Sequence, residues 1–301
     1  MVMAHASYAL GLLLALTGSA WAGPASRPAV IAFEDGGQAT YHVLESGEPE
    51  ALDTLVFVIG GSGCSDVGAG LLPRVTGAMD MPARYLALNK RHVQPGARGD
   101  GGAEQFGRPF NEDDVPSRWV ADTTAFVRSV LAGDAARWKK VVIVGASEGG
   151  AVAASVARAT PEATHLVVIG DGGWSMRDNL RVLLGAEEVA RAWSEITRSP
   201  DSAESMWLGH SHRYWFDVMD REPLQDYLAL DIPVLIAVGE RDRSIPVGSA
   251  QHVLVAALKA GKRNIGLVMY PGADHQLWDG ERSYLEEFLA QVGRGVQEGV
   301  R

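Results

Sequence analysis

One serine, one aspartate and one histidine stand in glycine-containing segments that could support acyl chemistry. The serine lies in Gly145-Ala-Ser147-Glu-Gly149, directly after the β-branched run 141–144, and small residues at helical spacing follow it. A strand, a Gly-x-Ser-x-Gly turn and a helix form the pattern of a nucleophile elbow. Glycines let the strand and helix approach closely, and the helix N-terminus directs free N–H groups at a developing oxyanion. The pentapeptide alone also fits a strand-to-helix turn without chemistry, so its interpretation depends on partner residues.

Two candidate partners are Asp242 and His275, which follow the apolar runs 232–238 and 265–270. A nucleophilic serine needs a base to take its proton and a carboxylate to orient the imidazole. The carboxyl ends of parallel strands share one edge of a sheet, so these side chains can meet Ser147 there. Asp171 also follows an apolar run, 165–169, and is an alternative acid. Asp274 is adjacent to His275 and cannot comfortably reach the same ring.

A second glycine-rich loop follows the apolar run 54–59. Residues 60–63 read Gly-Gly-Ser-Gly, and such a loop presents backbone N–H groups that no side chain obstructs. This arrangement suits an oxyanion hole, although a tight turn without chemistry has the same composition.

The elements that position these residues predict an α/β fold. Two strand-like runs joined at Asp35-Gly-Gly predict a β-hairpin. Apolar runs at 54–59, 83–88, 141–144, 165–169, 232–238 and 265–270 alternate with helical patterns, including 119–131, 151–159 and 253–258. Strands that are apolar on both faces predict a mainly parallel central sheet flanked by helices. The closing helix carries its apolar residues at i, i+3, i+4 and i+7, which are Leu285, Phe288, Leu289 and Val292.

Two stretches interrupt this alternation. Residues 89–114 lack a hydrophobic period and are predicted to be a surface loop that could flank the site entrance. Residues 174–230 contain three predicted helices, 176–184, 187–198 and 224–230, several aromatic residues and no predicted strand. We expect an inserted helical cap over the site, with ordinary sheet-covering helices as the alternative.

Composition and targeting limit the function classes. The net charge of −10 and 37 acidic against 27 basic residues argue against a nucleic-acid or anionic-membrane partner, which requires a basic face. Residues 1–22 resemble a secretory signal, with an apolar core and Ala20-Trp-Ala22 before a predicted cleavage after Ala22, although no Lys or Arg precedes the core. A membrane anchor is the less favoured alternative because the apolar run is shorter than the roughly 20 residues that a span needs. We therefore expect a mature chain of residues 23–301 that is secreted or periplasmic and has no membrane span.

The cysteine, a pair of histidines and a pair of arginines are further candidates, but the sequence gives them weaker support as functional residues. Cys64 is the only cysteine, so no intramolecular disulfide is possible, and its glycine-rich surroundings favour a structural role. His210 and His212 lack a carboxylate or cysteine at ligand spacing, so no metal site is predicted. Arg241 and Arg243 flank Asp242 and could bind a substrate carboxylate, but surface pairing is the more ordinary role.

Taken together, these motifs resemble the α/β-hydrolase superfamily from about residue 29 onward. The resemblance lies in Gly145-Ala-Ser-Glu-Gly149, Gly239-Glu-Arg-Asp242 with Pro246 behind it, Gly272-Ala-Asp-His275 and the strand-end run Ala87-Leu-Asn-Lys-Arg91. It implies a nucleophile at Ser147, a general base at His275 and an orienting acid at Asp242. It also implies an oxyanion hole formed by the N–H of Glu148 and an N–H of Gly61 or Ser62. Ile59 departs from the pattern, because many members have a histidine before these glycines.

The sequence thus predicts a single hydrolase domain at 23–301, with the cap inserted at about 174–230. We expect a serine hydrolase that cleaves a carboxylic ester or related acyl bond of a small-molecule or peptide substrate through an acyl-enzyme, with no cofactor. A serine aminopeptidase-type peptidase is the alternative within the enzymes, and the acidic run 111–114 is its candidate for gripping a free amine. A non-catalytic binding protein that retained the fold is the alternative from another class.

Overall fold

The computed structural model describes residues 26–99 and 107–299. The predicted signal at 1–22 and its cleavage site after Ala22 lie outside the described residues. No helix within the described ranges is long and apolar enough to cross a membrane.

A twisted sheet of eight strands forms the centre of the described chain, in the order β1-β2-β4-β3-β5-β6-β9-β10. β1 and β2 form the predicted hairpin, β2 runs antiparallel to β4, and every other neighbouring pair is parallel. The strands are β1 Arg27–Ala32, β2 Gln38–Ser46, β3 Thr54–Ile59, β4 Ala83–Leu88, β5 Lys140–Ala146, β6 His165–Ile169, β9 Val234–Gly239 and β10 Ile265–Tyr270. The predicted fold class, a mainly parallel sheet of an α/β-hydrolase, is confirmed.

Helices cover both faces of this sheet because its parallel strands are apolar on both sides. Along β3, Leu55, Phe57 and Ile59 pack into one hydrophobic cluster, whereas Val56 and Val58 pack into the other. The helices are α1 Leu71–Met79, α2 Gly107–Asp113, α3 Pro116–Gly133, α4 Glu148–Arg158, α5 Met176–Leu184, α6 Ala186–Ile196, α7 His212–Val218, α8 Leu224–Ala229, α9 Val247–Lys259 and α10 Leu285–Glu298. Side chains of α3, α4, α8 and α9 enter the first cluster, and those of α1 and α10 enter the second.

The stretch between β6 and β9 contains its own small hydrophobic cluster. Side chains from α5, α6 and α7 form it, including Leu180, Ile196 and Trp215. Contrary to the sequence prediction, this stretch also contains two short strands, β7 Met206–Trp207 and β8 His210–Ser211, which pair with each other. Two-residue strands are too short to produce a detectable alternation in sequence. The role of residues 174–230 as a cap over the site stays a prediction.

The expectation of a loop through residues 89–114 was wrong at its C-terminal end. Residues 107–113 form α2, whose buried side chains are Phe110 and Asn111. With only one buried apolar residue in two turns, this helix has no hydrophobic repeat to reveal it.

Candidate active site

Ser147 occupies the sharp turn between β5 and α4. Its backbone lies in a left-handed region with φ 55° and ψ −131°, which is unfavourable for a residue with a Cβ. The flanking glycines make this turn possible. A Cβ on Gly145 would lie 2.1 Å from the carbonyl oxygen of Gly149, and one on Gly149 would lie 2.2 Å from that of Gly60. The Gly-x-Ser-x-Gly sequence is therefore required by close backbone approach on both sides of the serine.

His275 lies between Ser147 and Asp242. Its Nε2 is 2.9 Å from Ser147 Oγ, and its Nδ1 is 2.7 Å from Asp242 Oδ2. The carboxylate accepts a hydrogen bond from the Nδ1–H group, so Nε2 carries the lone pair that accepts a hydrogen bond from the serine hydroxyl. The Asp242 side chain is fully buried and that of His275 is nearly so. The three residues thus form an aligned Ser–His–Asp relay at the carboxyl edge of the sheet.

The loops after β9 and β10 fix the acid and the histidine. Asp242 Oδ1 accepts hydrogen bonds from the N–H groups of Ser244 and Ile245, at 2.7 and 2.9 Å, which leaves Oδ2 for His275. Asp274 instead accepts from the backbone N–H groups of Gln276 and Trp278. Its carboxylate shapes the turn that carries His275.

Asp171, the alternative acid, lies at the end of β6 behind the elbow helix. It is entirely buried, and a Cβ added to Gly150 would lie 2.6 Å from its Cβ. Burial raises the pKa of Asp171 to about 7, although the N–H groups of Gly172 and Ala151 and the nearby His275 favour its ionised form. Its Oδ2 has no hydrogen-bond partner among the described residues. The structure therefore places Asp242, and not Asp171, in hydrogen-bond contact with His275.

The glycine loop after β3 passes beside the start of α4, as the contact between Gly149 and Gly60 requires. Within the described ranges, the backbone N–H groups of Gly61 and Ser62 donate no hydrogen bond. Buried Asp66 anchors the next turn, since it accepts from His42 at 2.8 Å and from the Gly96 N–H at 2.6 Å. Despite burial, these and further hydrogen bonds lower the pKa of Asp66 to about 2. The loop thus places two backbone N–H groups that have no partner among the described residues close to the elbow.

A buried polar network lies directly behind the elbow, and the sequence did not predict it. Lys90 Nζ contacts both Glu148 carboxylate oxygens at 3.2 Å and Asp114 Oδ1 at 2.7 Å. His210 Nδ1 lies 3.1 Å from Asp114 Oδ2. The Tyr214 ring stacks on that of His210 with the ring centres 3.9 Å apart, and burial together with nearby Glu148 raises the pKa of Tyr214. We call these five residues the elbow network.

The elbow network consists of charges that lie away from water. Burial raises the pKa of Glu148, whereas burial of Asp114 is outweighed by the charge of Lys90, which keeps the pKa of Asp114 below its usual value. Lys90 Nζ also lies 4.4 Å from the ring centre of Trp119, which provides a cation–π contact. The only available sequence signals were Lys90 in the strand-end run and Asp114 in the acidic run. Neither indicates that the two side chains meet.

The remaining sequence candidates lie apart from this centre. His212 Nδ1 lies 2.9 Å from Ser199 Oγ, so the two histidines of the 210–212 segment have separate partners. The described residues contain no group of three or more side chains that could hold a metal ion. Arg241 and Arg243 are exposed and form no ion pair with any described residue. Cys64 is buried.

The sheet order, the strained serine turn and the aligned relay define a serine hydrolase of the α/β-hydrolase class. The sequence model of the prolyl oligopeptidase family, Peptidase_S9, matches residues 92–292. The chain belongs to this family. No curated protein sequence matches it significantly.

Solved structures of hydrolases share the fold. Esterase Pf2001 of Pyrococcus furiosus aligns with a TM-score of 0.58 at 17% identity, over 91% of this chain and 90% of that chain. Est1E of Butyrivibrio proteoclasticus aligns with a TM-score of 0.59 at 15% identity, over 91% of this chain and 100% of that chain. A puromycin-hydrolyzing peptidase of Mycobacterium tuberculosis aligns with a TM-score of 0.60 at 16% identity, over 90% of this chain but 38% of that chain. At these identities the likeness concerns the fold.

Proposed function

We propose that the protein cleaves carboxylic esters or related acyl compounds through a covalent intermediate on Ser147. The observation that carries this proposal is the hydrogen-bonded relay from Ser147 Oγ through His275 to Asp242, with distances of 2.9 and 2.7 Å. Both distances lie within the range required for proton transfer in a nucleophile–base pair.

In the proposed reaction, Ser147 Oγ attacks the substrate carbonyl while His275 Nε2 takes the hydroxyl proton. The imidazolium that forms is stabilised by Asp242, and its proton then passes to the leaving group as the acyl-enzyme forms. A water molecule, deprotonated by the same nitrogen, releases the acid product. The N–H of Glu148, together with that of Gly61 or Ser62, would stabilise the oxyanion in both steps. The free donors of the glycine loop support this assignment.

Ester cleavage is favoured over an aminopeptidase activity by the state of the acidic run 111–114. Recognition of a substrate ammonium group would need an exposed, unpaired carboxylate. Glu112 instead pairs with Arg108, Asp113 pairs with His92, and buried Asp114 pairs with Lys90. Among the described residues this run has no carboxylate free of a partner, which makes it a weaker candidate for binding an amine.

A peptidase activity is nevertheless the second candidate, because the chain matches the prolyl oligopeptidase family. The two candidates differ in the substrate and not in the first chemical step. Turnover of p-nitrophenyl esters should exceed that of aminoacyl p-nitroanilides carrying a free amine. Faster cleavage of the anilides would instead favour the peptidase activity over the esterase activity.

The mechanism itself is tested with a fluorophosphonate probe, which labels activated serines irrespective of the natural substrate. We expect the purified mature chain to be labelled once per molecule, and both Ser147→Ala and His275→Ala to lose labelling. The Ser147→Ala change should lower kcat on the order of 10⁶-fold if the three residues act as a unit. A folded wild type that neither labels nor hydrolyses any acyl compound would favour the non-catalytic binding role.

Export is part of the same proposal. The sequence of residues 1–22 supports secretion or delivery to a periplasm, with a mature chain that begins at residue 23.

A further inference from the structure

The elbow network joins the residue after the nucleophile to the 174–230 segment. Glu148 belongs to the elbow, Lys90 follows β4 and Asp114 precedes α3, whereas His210 and Tyr214 belong to β8 and α7. Apart from Glu148, which directly follows Ser147, these residues lie on different parts of the chain from Ser147, His275 and Asp242. The network does not include the groups that transfer the proton, yet it holds the side chain of the residue whose backbone N–H is the proposed oxyanion donor.

Stability does not account for such a network. Removing a lysine and two carboxylates from water costs free energy, and replacing buried ion pairs by apolar residues of similar volume is often neutral or stabilising. Here the side chains of Lys90, Asp114 and Glu148 are 7%, 3% and 6% exposed. The charges instead restrain the orientation of the Glu148 side chain, because the Lys90 ammonium group contacts both of its carboxylate oxygens.

The restraint acts on a backbone that would otherwise relax. Ser147 has φ 55°, and the peptide bond from Ser147 to Glu148 carries the N–H in question. Glu148 is the first residue of α4, where backbone N–H groups lack intrahelical partners. A carboxylate held by Lys90 would restrain this residue in an orientation that points its N–H at the reacting carbonyl oxygen. A misdirected donor would bind the transition state less well while leaving the substrate ground state unaffected.

We propose that the elbow network positions the Glu148 N–H for oxyanion stabilisation, and that His210 makes the 174–230 segment a necessary part of this positioning. This inference rests on the proposed function. His210 is the most informative residue to change, because it contacts Asp114 rather than Glu148 and its effect on Glu148 is therefore indirect. Asn places a side-chain N–H close to the position of Nδ1, so His210→Asn retains the hydrogen bond to Asp114 that His210→Ala removes.

The experiment measures kcat and KM with a short-chain p-nitrophenyl ester, together with the inhibition constant of an alkylboronic acid that mimics the tetrahedral intermediate. The stoichiometry of fluorophosphonate labelling at completion reports the fraction of folded, competent enzyme. His212→Ala is the matched control, since His212 lies in the same segment but contacts Ser199.

For His210→Ala we expect kcat to fall roughly tenfold or more, with KM within about twofold. The boronic acid inhibition constant should rise by the same factor as kcat/KM falls, while each chain still takes up one label. His210→Asn should recover most of both losses, and His212→Ala should match the wild type. Lys90→Met should show the same pattern, with the larger loss.

Two results would overturn the inference while leaving the proposed function standing. One is wild-type kcat in His210→Ala. The other is a lower kcat with an unchanged boronic acid constant and a reduced labelling stoichiometry, which indicates misfolding rather than misalignment. A wild type that is inactive towards both esters and amides and is not labelled would overturn the proposed function and this inference with it.

Discussion

Replacing Asp171 by asparagine should stabilise the folded protein at high pH. It should also remove part of the pH dependence of the free energy of unfolding. Asp171 is buried behind the elbow helix, with a pKa of about 7, and its Oδ2 lacks a hydrogen-bond partner among the described residues. Ionising this carboxyl group in the folded protein is costly because burial outweighs the favourable effects of the Gly172 and Ala151 N–H groups and of His275. An asparagine has nearly the same shape but cannot ionise.

The magnitude follows from the difference between the folded and unfolded pKa values. In the unfolded chain Asp171 titrates near 3.8, and in the folded chain near 7. Between these values the folded state holds a proton that the unfolded state has lost, so stability falls as the pH rises. The contribution is fully present below pH 3.8 and is lost once the pH exceeds about 7. At 1.36 kcal/mol per pH unit it amounts to about 4 kcal/mol in total and about 2.6 kcal/mol between pH 5 and pH 8.

The assay is urea unfolding of the wild type and Asp171→Asn at several pH values from 5 to 8. The free energy of unfolding of the variant minus that of the wild type should increase by about 2.6 kcal/mol over this range. Asp201→Asn, which removes the carboxylate of an exposed aspartate, is the charge-matched control. A pH-independent difference for Asp171→Asn would refute the argument, since Asp171 would then be ionised or solvated in the folded protein.

Three further predictions concern the elbow, the acid and the N-terminus. Asp242→Asn should lower kcat by about 10⁴-fold, because it disrupts the orientation of His275. Asp171→Asn should retain fluorophosphonate labelling. The reverse result would identify Asp171 as the acid that orients His275. Gly149→Ala should destabilise the fold by several kcal/mol in thermal unfolding, because its Cβ would lie 2.2 Å from a backbone oxygen. Gly133→Ala is the control, since a Cβ at this position would have no atom within 4 Å. It should change stability by less than about 1 kcal/mol. Mass spectrometry of the exported protein should show cleavage after Ala22, and an intact N-terminus would contradict export through a cleaved signal.

Much of the fold was predictable because its elements have local signals. The run Ile265–Tyr270 forms β10 with the predicted bounds, and the helix from Met176 to Leu184 was likewise predicted over its full length. Runs of β-branched residues and apolar side chains at helical spacing carry such information within a few residues. The glycines around Ser147 are equally local, since the backbone contacts that exclude a Cβ arise from the turn and the two elements that it joins.

The short elements and the contacts between distant segments could not be predicted in this way. β7 and β8 have only two residues each, and α2 buries one aromatic side chain, so neither produces a repeat. The acidic run 111–114 indicated exposed carboxylates, yet Asp114 is buried. Its partners, Lys90 and His210, lie 24 and 96 residues away in sequence, and nothing local identifies them.

The nucleophile could be located from the sequence, whereas the side chains of the elbow network that surround Glu148 could not. A nucleophile elbow is limited by backbone geometry, which allows few sequences and therefore leaves a motif. A buried restraint on the following residue can be built from many combinations of side chains, provided that charge and volume are compensated. The resulting residues are recognisable only when their mutual contacts are known. Glu148 belongs to both classes, because its backbone is fixed by the motif and its side chain by Lys90. Substitutions at Glu148 should therefore affect catalysis through the side chain even though the proposed catalytic group is the main-chain N–H.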